Sequence, residues 1–442
     1  MFETFRNAWK IDDLRKRLLF TLLILVLFRL GCAVPVPYIS AGALSTMFAG
    51  GTGDMLEYLN MMSGGALSEC TLFALGVQPA INASIIMQLL AVAIPYLENL
   101  AKEGEEGQRK MRRITNYVGA GIGLMLSIGY YFIIRNMGAL SYTEGFAGIF
   151  SAVVIILSFT AGSQLCTWLG NQIDSKGIGN GISLMIFAGI VARWSSIYSA
   201  VTNILARASN GEPQFYIFLP ALVLLALAAV IFVVILTNAE RRIPVQYAKR
   251  VVGRKMYGGS STYLPLKINM SGVIPPIFAS SILAIPTLIA QFGKSDQSWV
   301  KWINANLANT TSVWYIALYA LMIVFFCFFY TSITFNPDET ADNMKQYGGF
   351  IPGIRAGNAT SRYLTYVMNR LNTVGAVYLL FVALIPTVLI MALGLNAKLP
   401  FGGTTILIIA GVGLDTLRQA KAQTEQFQYT GFLFENVDHK EG

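Results

Sequence analysis

Gly76-Val77-Gln78-Pro79-Ala80-Ile81-Asn82-Ala83-Ser84-Ile85-Ile86 returns almost intact at Gly272-Val273-Ile274-Pro275-Pro276-Ile277-Phe278-Ala279-Ser280-Ser281-Ile282. Aligned without gaps, seven of the eleven positions are identical: Gly, Val, Pro, Ile, Ala, Ser and Ile. Gly with a nearby Pro breaks or kinks a helix, and here the pair opens an apolar segment in both copies. Interrupted segments at corresponding places in two halves of an apolar chain predict an internal repeat, with a pathway at the repeat interface. The competing account is chance likeness between two apolar helices rich in Ile, Ala and Ser.

The surrounding chain is that of a polytopic membrane protein. Of 442 residues, 55% are hydrophobic and only 12% charged, and mean hydropathy is +0.56. Soluble domains carry about twice that charged fraction. Cys32, Cys70, Cys166 and Cys327 are scattered, mostly in apolar runs, and read as small buried hydrophobes rather than a disulfide frame or metal site. His439, the single histidine, lies in a polar tail. Nothing here requires a metal or a cofactor.

A membrane crossing needs about 20 mostly apolar residues. That rule gives ten segments: 18–37, 75–97, 114–134, 146–169, 181–200, 215–236, 272–293, 312–335, 370–392 and 402–420. Basic Arg15-Lys16-Arg17 before an apolar run resembles a signal peptide, but Arg29 interrupts the run, no small-residue cleavage site follows, and further spans do. Residues 1–17 suit an amphipathic surface helix. Of the 32 Lys and Arg, 25 fall in segments on one side of this topology and six on the other. The positive-inside rule therefore puts both termini in the cytoplasm. The expected fold is all-α, ten spans in two halves: residues 1–202, a polar linker at 203–214, and residues 215–442. Five spans in each half force opposite orientations, so the repeat is inverted. Residues 55–74, moderately apolar with Gly64-Gly65, Glu57 and Glu69, are expected to form a short re-entrant helix; a plain external loop is the alternative.

Several longer motifs occur in order: Gly76 to Leu90, Gly177-Ile178-Gly179-Asn180-Gly181-Ile182-Ser183, Gly272 to Ile282, Phe335-Asn336-Pro337-Asp338-Glu339-Thr340-Ala341-Asp342-Asn343, and Pro352-Gly353-Ile354-Arg355. By these the chain resembles, over its full length, the SecY family of protein-conducting channels, the bacterial relatives of the large subunit of the eukaryotic Sec translocon. The resemblance implies a channel for unfolded polypeptides in the cytoplasmic membrane, not an enzyme. It implies a hydrophobic pore ring at Ile81, Ile85, Ile182, Ile186, Ile277 and Ile408. It implies a plug within Asn60–Leu72, at Ser63, Gly64, Gly65, Ala66 and Leu67. The implied lateral gate lies between the second and third spans and the seventh and eighth, with Asn82, Ser84 and Gln88 facing Phe278, Ser280 and Ser281. Asn82 and Pro276 depart from the family pattern, which bears on the polarity of that gate. Implied partners are the SecE and SecG subunits, the SecA motor ATPase, the ribosome, signal peptides and nascent chains, and membrane lipid. Lys249, Arg250, Arg254, Lys255 and Arg355 are the implied docking residues.

The residues themselves are compatible with this. Ile81 and Ile85, like Ile182 and Ile186, are four apart and share a helical face. A ring of stiff aliphatic side chains closes a pore by excluding water, without charge to attract ions. Spacing alone fits ordinary helix packing equally. Segment 237–271 carries seven Lys/Arg against Glu240 alone; such clusters bind phosphate backbones or acidic protein faces, and they also serve as topogenic charge. The turn-rich segment 336–370 presents Arg355 at its tip. Gly119 and Gly123 have the small-xxx-small spacing of close helix packing. Gly177 to Gly181 mimics part of a nucleotide loop without its strand or lysine. A secondary transporter also uses inverted repeats, but it places ionisable groups near the midplane. Here only Arg29 and Asp415, near the ends of their spans, are of that kind. No constellation for an intramembrane enzyme is present.

Overall fold

The computed structural model describes residues 11–40, 63–136, 138–192, 214–247, 250–252, 255–257, 261–290, 297–309, 311–392 and 403–435, with residues 9, 60 and six more between 198 and 209. Both copies of the repeated stretch turn at their glycine. Gly76 has φ +53° and Gly272 φ +63°, the left-handed region that a side chain disfavours. A helix starts two residues later in each copy, at Gln78 and at Ile274.

In chain order the first half contains α1 (Asp12–Gly31), α2 (Gln78–Ala93), α3 (Pro95–Lys102), α4 (Glu105–Asn136), α5 (Gly145–Lys176) and α6 (Gly181–Ala192). The second contains α7 (Gln214–Asn238), β1 (Glu240–Tyr247), β2 (Arg250–Val252), β3 (Lys255–Tyr257), β4 (Ser261–Lys267), α8 (Ile274–Ala290), α9 (Ser298–Asn306), α10 (Val313–Thr334), α11 (Pro337–Gln346), β5 (Gly349–Phe350), α12 (Asn358–Ala392) and α13 (Gly403–Glu435). Every apolar segment predicted from the sequence falls on one of these helices, with shifted ends. Among the described residues, four stretches are long and apolar enough to cross a membrane alone: Glu105–Arg135, Gly145–Lys176, Val313–Gln346 and Asn358–Val388. The segment predicted over 75–97 stops at Ala93, where Ile94 is extended ahead of Pro95, and α3 leaves at 103°. Pro220 and Pro286 interrupt α7 and α8, leaving apolar runs of Val223–Asn238 and Ile274–Thr287. Asp12 to Arg17, expected in a separate surface helix, opens α1; residues 1–8 lie outside the described residues.

The helices expose large apolar side chains, as a bilayer requires. On α5, Phe146, Ile149, Phe150, Val153 and Leu157 are exposed, while Gly148, Ser151, Ile155, Phe159, Gly162 and Cys166 are buried. An exposed face rich in large apolar groups, opposite a buried face that includes Gly, Ser and Cys, marks a lipid-facing helix. Gly119 and Gly123 behave as their spacing predicts. A Cβ on Gly119 would touch Ala83 at 3.5 Å, and one on Gly123 would meet Ser163 Oγ at 2.9 Å, so α4 packs closely on α2 and α5.

The packing repeats. In the first half α2 packs on α4, α4 on α5, α5 on α6 and α1 on α6; in the second α8 packs on α10, α10 on α12, α12 on α13 and α7 on α13. The halves meet where α2 packs on α8 and where α6 packs on α13. The Gly177–Ser183 motif builds the tight turn between α5 and α6. Thr21 Oγ1 accepts from Ile178 N–H at 3.1 Å, Asp174 Oδ1 from Gly181 N–H at 2.7 Å, and Asn180 Oδ1 from Ser183 N–H at 3.0 Å. Gly181 sits where a Cβ would meet the Gly170 carbonyl oxygen at 2.0 Å. The Asn336 motif is a helix start: its side chain accepts from the Asp338 and Glu339 N–H groups, followed by Pro337 and two acids in the first turn.

Segments 237–271 and 336–370, read from the sequence as two separate loops, form one body. β1 pairs antiparallel with β4 from Glu240–Lys267 to Gln246–Ser261, and β5 adds to β1 at Gln246 and Tyr247. The three-stranded order is β4-β1-β5. Pro244 is tolerated in the central strand because β5 does not reach it. Alternate residues Ile243 and Val245 point inward and pack with Leu266, Met344, Ile351 and Leu364.

Candidate functional site

The six isoleucines meet at the contact between halves. Ile81 and Ile85 come from α2, Ile186 from α6, Ile277 from α8 and Ile408 from α13. All five are buried in one cluster, against which Ile182 is packed, half-buried. Among the described residues no Asp, Glu, Lys, Arg or His is buried. Four helices therefore converge on a cluster centred on isoleucines, with no buried charged side chain among the described residues, an arrangement that excludes water.

Beneath it lies the segment that follows Asn60. Residues 63–70 and 72–77 are consecutive turns rather than helix, with Thr71 bridged to Pro35; residues 55–59, 61 and 62, where the re-entrant helix was also expected, lie outside the described residues. Ala66 belongs to the isoleucine cluster, and Leu67 to a neighbouring one with Tyr130, Ile134 and Phe159. Gly64 and Gly65 have φ +70° and +91°. Ser63 is buried; its hydroxyl donates to Asn60 O at 3.0 Å and accepts from Leu67 N–H at 3.3 Å. The segment is stitched to the exit of α1, where Leu72 N–H donates to Val34 O at 2.8 Å and Val36 N–H to Cys70 O at 3.0 Å. Glu69 is exposed.

The expected gate residues lie on the two helices that join the halves. Asn82, Ser84 and Gln88 are half-buried on α2; Phe278, Ser280 and Ser281 are buried on α8. Ser84 Oγ donates to Ala80 O and Ser280 Oγ to Ile277 O, both at 2.9 Å. Phe278 meets Phe326 of α10 edge-on, 5.8 Å between centroids. Gln88 Oε1 and Ser281 Oγ are buried with no hydrogen-bond partner. A buried polar atom left unpaired costs about 1–3 kcal/mol, so both helices hold a polar atom that gains by opening to water.

The root of α8 is held by a polar network that the sequence did not reveal. Asn269 Nδ2 donates to Gly272 O at 3.0 Å, and Ser271 Oγ to Asn269 Oδ1 at 3.3 Å. Ser271 Oγ lies 3.4 Å from Cys327 Sγ. Asn372 Oδ1 accepts from Cys327 Sγ and from Thr331 Oγ1, both at 3.0 Å. The only signal was an Asn near the start of an apolar segment. Of the docking residues, Arg355 is exposed, with its carbonyl accepting from Thr360 Oγ1 at 2.8 Å. Arg250 and Lys255 lie in the β2–β3 hairpin; Lys249 and Arg254 lie outside the described residues.

A model of the SecY family matches residues 71–417. The chain belongs to the SecY family. The protein translocase subunit SecY of Streptomyces coelicolor is 47% identical over 442 residues, covering 98% of this chain and all of that one. Its counterpart from Mycobacterium bovis is 44% identical over 449 residues, with the same coverage. The SecY-family fold recurs in solved structures. One described as a protein-conducting channel has a TM-score of 0.60 at 19% identity, over 92% of this chain and 91% of that one. A second, of a SecY whose plug domain stabilises the closed state and maintains a membrane seal, scores 0.61 with the same identity and coverage. A third, Sec61 in a canine ribosome-channel complex, scores 0.56 at 18% identity, over 92% and 91% of the two chains.

Proposed function

We propose that this chain is the pore-forming subunit of a Sec-type protein translocase, passing unfolded secretory proteins across the cytoplasmic membrane and releasing apolar segments sideways into lipid. It is a channel and not an enzyme. The observation that carries the reading is the convergence of Ile81, Ile85, Ile186, Ile277 and Ile408 with Ala66 in one cluster at the contact between halves. An aliphatic ring makes no demand on the sequence of a passing chain, and it closes by dewetting when the chain has left. Residues 63–67 act as the plug below it. Asn82, Ser84 and Gln88, with Phe278, Ser280 and Ser281, line the lateral gate that α2 and α8 form. Residues 203–214, expected as the hinge between halves, lie mostly outside the described residues.

A coupled small-solute transporter needs an ionisable group inside, and no such group is buried among the described residues. The polypeptide channel is the better reading. The driving force then comes from partners: a ribosome or a SecA-type motor on the basic cytoplasmic face, with SecE and SecG completing the membrane complex. Both termini lie in the cytoplasm.

The test is crosslinking of a translocation-arrested secretory chain to single cysteines in Ile85→Cys and Ile277→Cys. Both positions are expected to react with the same stretch of substrate, and a lipid-facing control such as Leu157→Cys is expected to stay silent. Absence of adducts at both ring positions, with arrested substrate present, removes the reading.

A further inference from the structure

Arg29 stands inside the apolar run of α1, and the channel reading leaves it without a task. Its Nη1 donates to the carbonyl oxygen of Gly64 at 3.1 Å. Gly64 is held on two sides: a Cβ there would meet Arg29 Nη1 at 2.9 Å and the Gly189 Cα of α6 at 3.0 Å, and its φ of +70° is one only glycine adopts readily. One turn on, Cys32 Sγ lies 3.8 Å from the preceding carbonyl, that of Ser63. The same end of α1 stacks Phe28 on Phe73, 5.8 Å between centroids. Two residues beyond Gly64, Ala66 enters the isoleucine cluster. The last turns of α1 thus form a receiver for segment 63–67, and among the described residues its charged contact is Arg29 to Gly64.

The geometry points to Arg29 as the latch of the closed channel, a positioning residue that holds segment 63–67 under the constriction. This rests on the plug reading above. Three features suit the task. The bond is charge-assisted, hence stronger than its neutral neighbours. It is made to a backbone carbonyl, so it breaks and re-forms without proton transfer. Arg29 is itself exposed, at the edge of a cleft of about 450 Å³ lined otherwise by Leu22, Leu25, Val26, Leu30 and Ala188, so its long side chain has room to swing aside once the segment leaves.

The experiment uses the purified translocase complex in lipid vesicles, in three forms: parent, Arg29→Lys and Arg29→Met. Idle ion leak is measured in each. In the same three backgrounds, Ala66→Cys is labelled with a membrane-impermeant maleimide and the modified peptide is quantified. Arg29→Met is expected to raise both leak and labelling at position 66 about tenfold, the order by which losing a hydrogen bond to a charged group shifts an equilibrium. Arg29→Lys, which keeps the charge on a point donor, is expected to restore most of both. Leak and labelling equal to the parent in Arg29→Met overturn the latch. Equal increases in both variants, with a matching fall in yield of assembled complex, also overturn it, since they mark a general packing role. Should Arg29→Met not assemble, Arg29→Lys against Gly64→Ala decides: the latch requires Gly64→Ala, which crowds Nη1, to leak more than Arg29→Lys, and the reverse order overturns it. If parent vesicles pass no secretory substrate when supplied with a motor, the channel reading fails by itself, while labelling at position 66 still decides whether Arg29 holds the segment.

Discussion

Single backbone contacts set how closely the helices of this channel approach. Gly181 is the strictest case, because both its neighbour and the atom it would strike are backbone. Gly181→Ala drives a methyl against the Gly170 carbonyl oxygen, 2.0 Å from its ideal position, and neither side can turn away. The expected loss is about 1–3 kcal/mol, seen as a lower midpoint of thermal unfolding in detergent, with α5 and α6 splayed. The Gly177–Ser183 motif was legible as a family mark, and its reason becomes visible only with the partners Thr21 and Asp174 in place. Arg29 was the opposite case. A cation inside an apolar run announces itself in any sequence, but its partner, a backbone carbonyl 35 residues away, carries no side-chain signature.

Elements were legible to the extent that their pattern is local. Gly and Pro at the head of each repeat gave the starts of α2 and α8 because those residues dictate backbone geometry wherever they occur. The expected plug was placed by resemblance, and residues 63–70 of it turn instead of winding into helix, with two left-handed glycines among them. The β1–β4 ribbon was missed because segment 237–271 was read for its charge alone; Pro244 and Pro265 also blur a strand pattern, and only the short reach of β5 makes Pro244 harmless. The network at the root of α8 joins residues from three separate parts of the chain, so no window of sequence shows it. Its centre is Asn372, whose Oδ1 takes two donors. Asn372→Ala leaves Cys327 and Thr331 without that acceptor, at a cost of about 1–3 kcal/mol. Thermal unfolding of the complex in detergent and protease resistance of the 268–274 connection should both fall, while a surface change such as Tyr347→Ser leaves both unaltered.

On the scale of the whole molecule, charge and hydropathy already fixed that the chain lives in a membrane with a basic face, since these are sums over residues and need no fold. Which groups on that face touch a partner is a question of exposure. Arg355 is exposed beside the sheet, with Ile354 and Tyr247 packed beneath it in the Ile351 cluster. Arg355→Glu is expected to stop motor-driven export in a vesicle assay and leave complex assembly unchanged; export at the parental rate refutes the assignment. Reversing Arg254 and Lys255 to Glu tests the neighbouring hairpin, with weaker sedimentation of ribosomes on the vesicles as the expected result and unchanged binding as the refutation. The sheet that unites these surfaces has a mechanical meaning. Its first strand leaves α7 beside Thr237 and Asn238, which Arg418 of α13 grips at 2.7 and 2.8 Å. Its return strand ends at Lys267, a few residues from the turn where α8 begins. Anchored at one root and short-tethered at the other, the ribbon ties α7 and α13 to the start of α8, so a load placed on it is expected to be felt first at the Lys267–Gly272 connection.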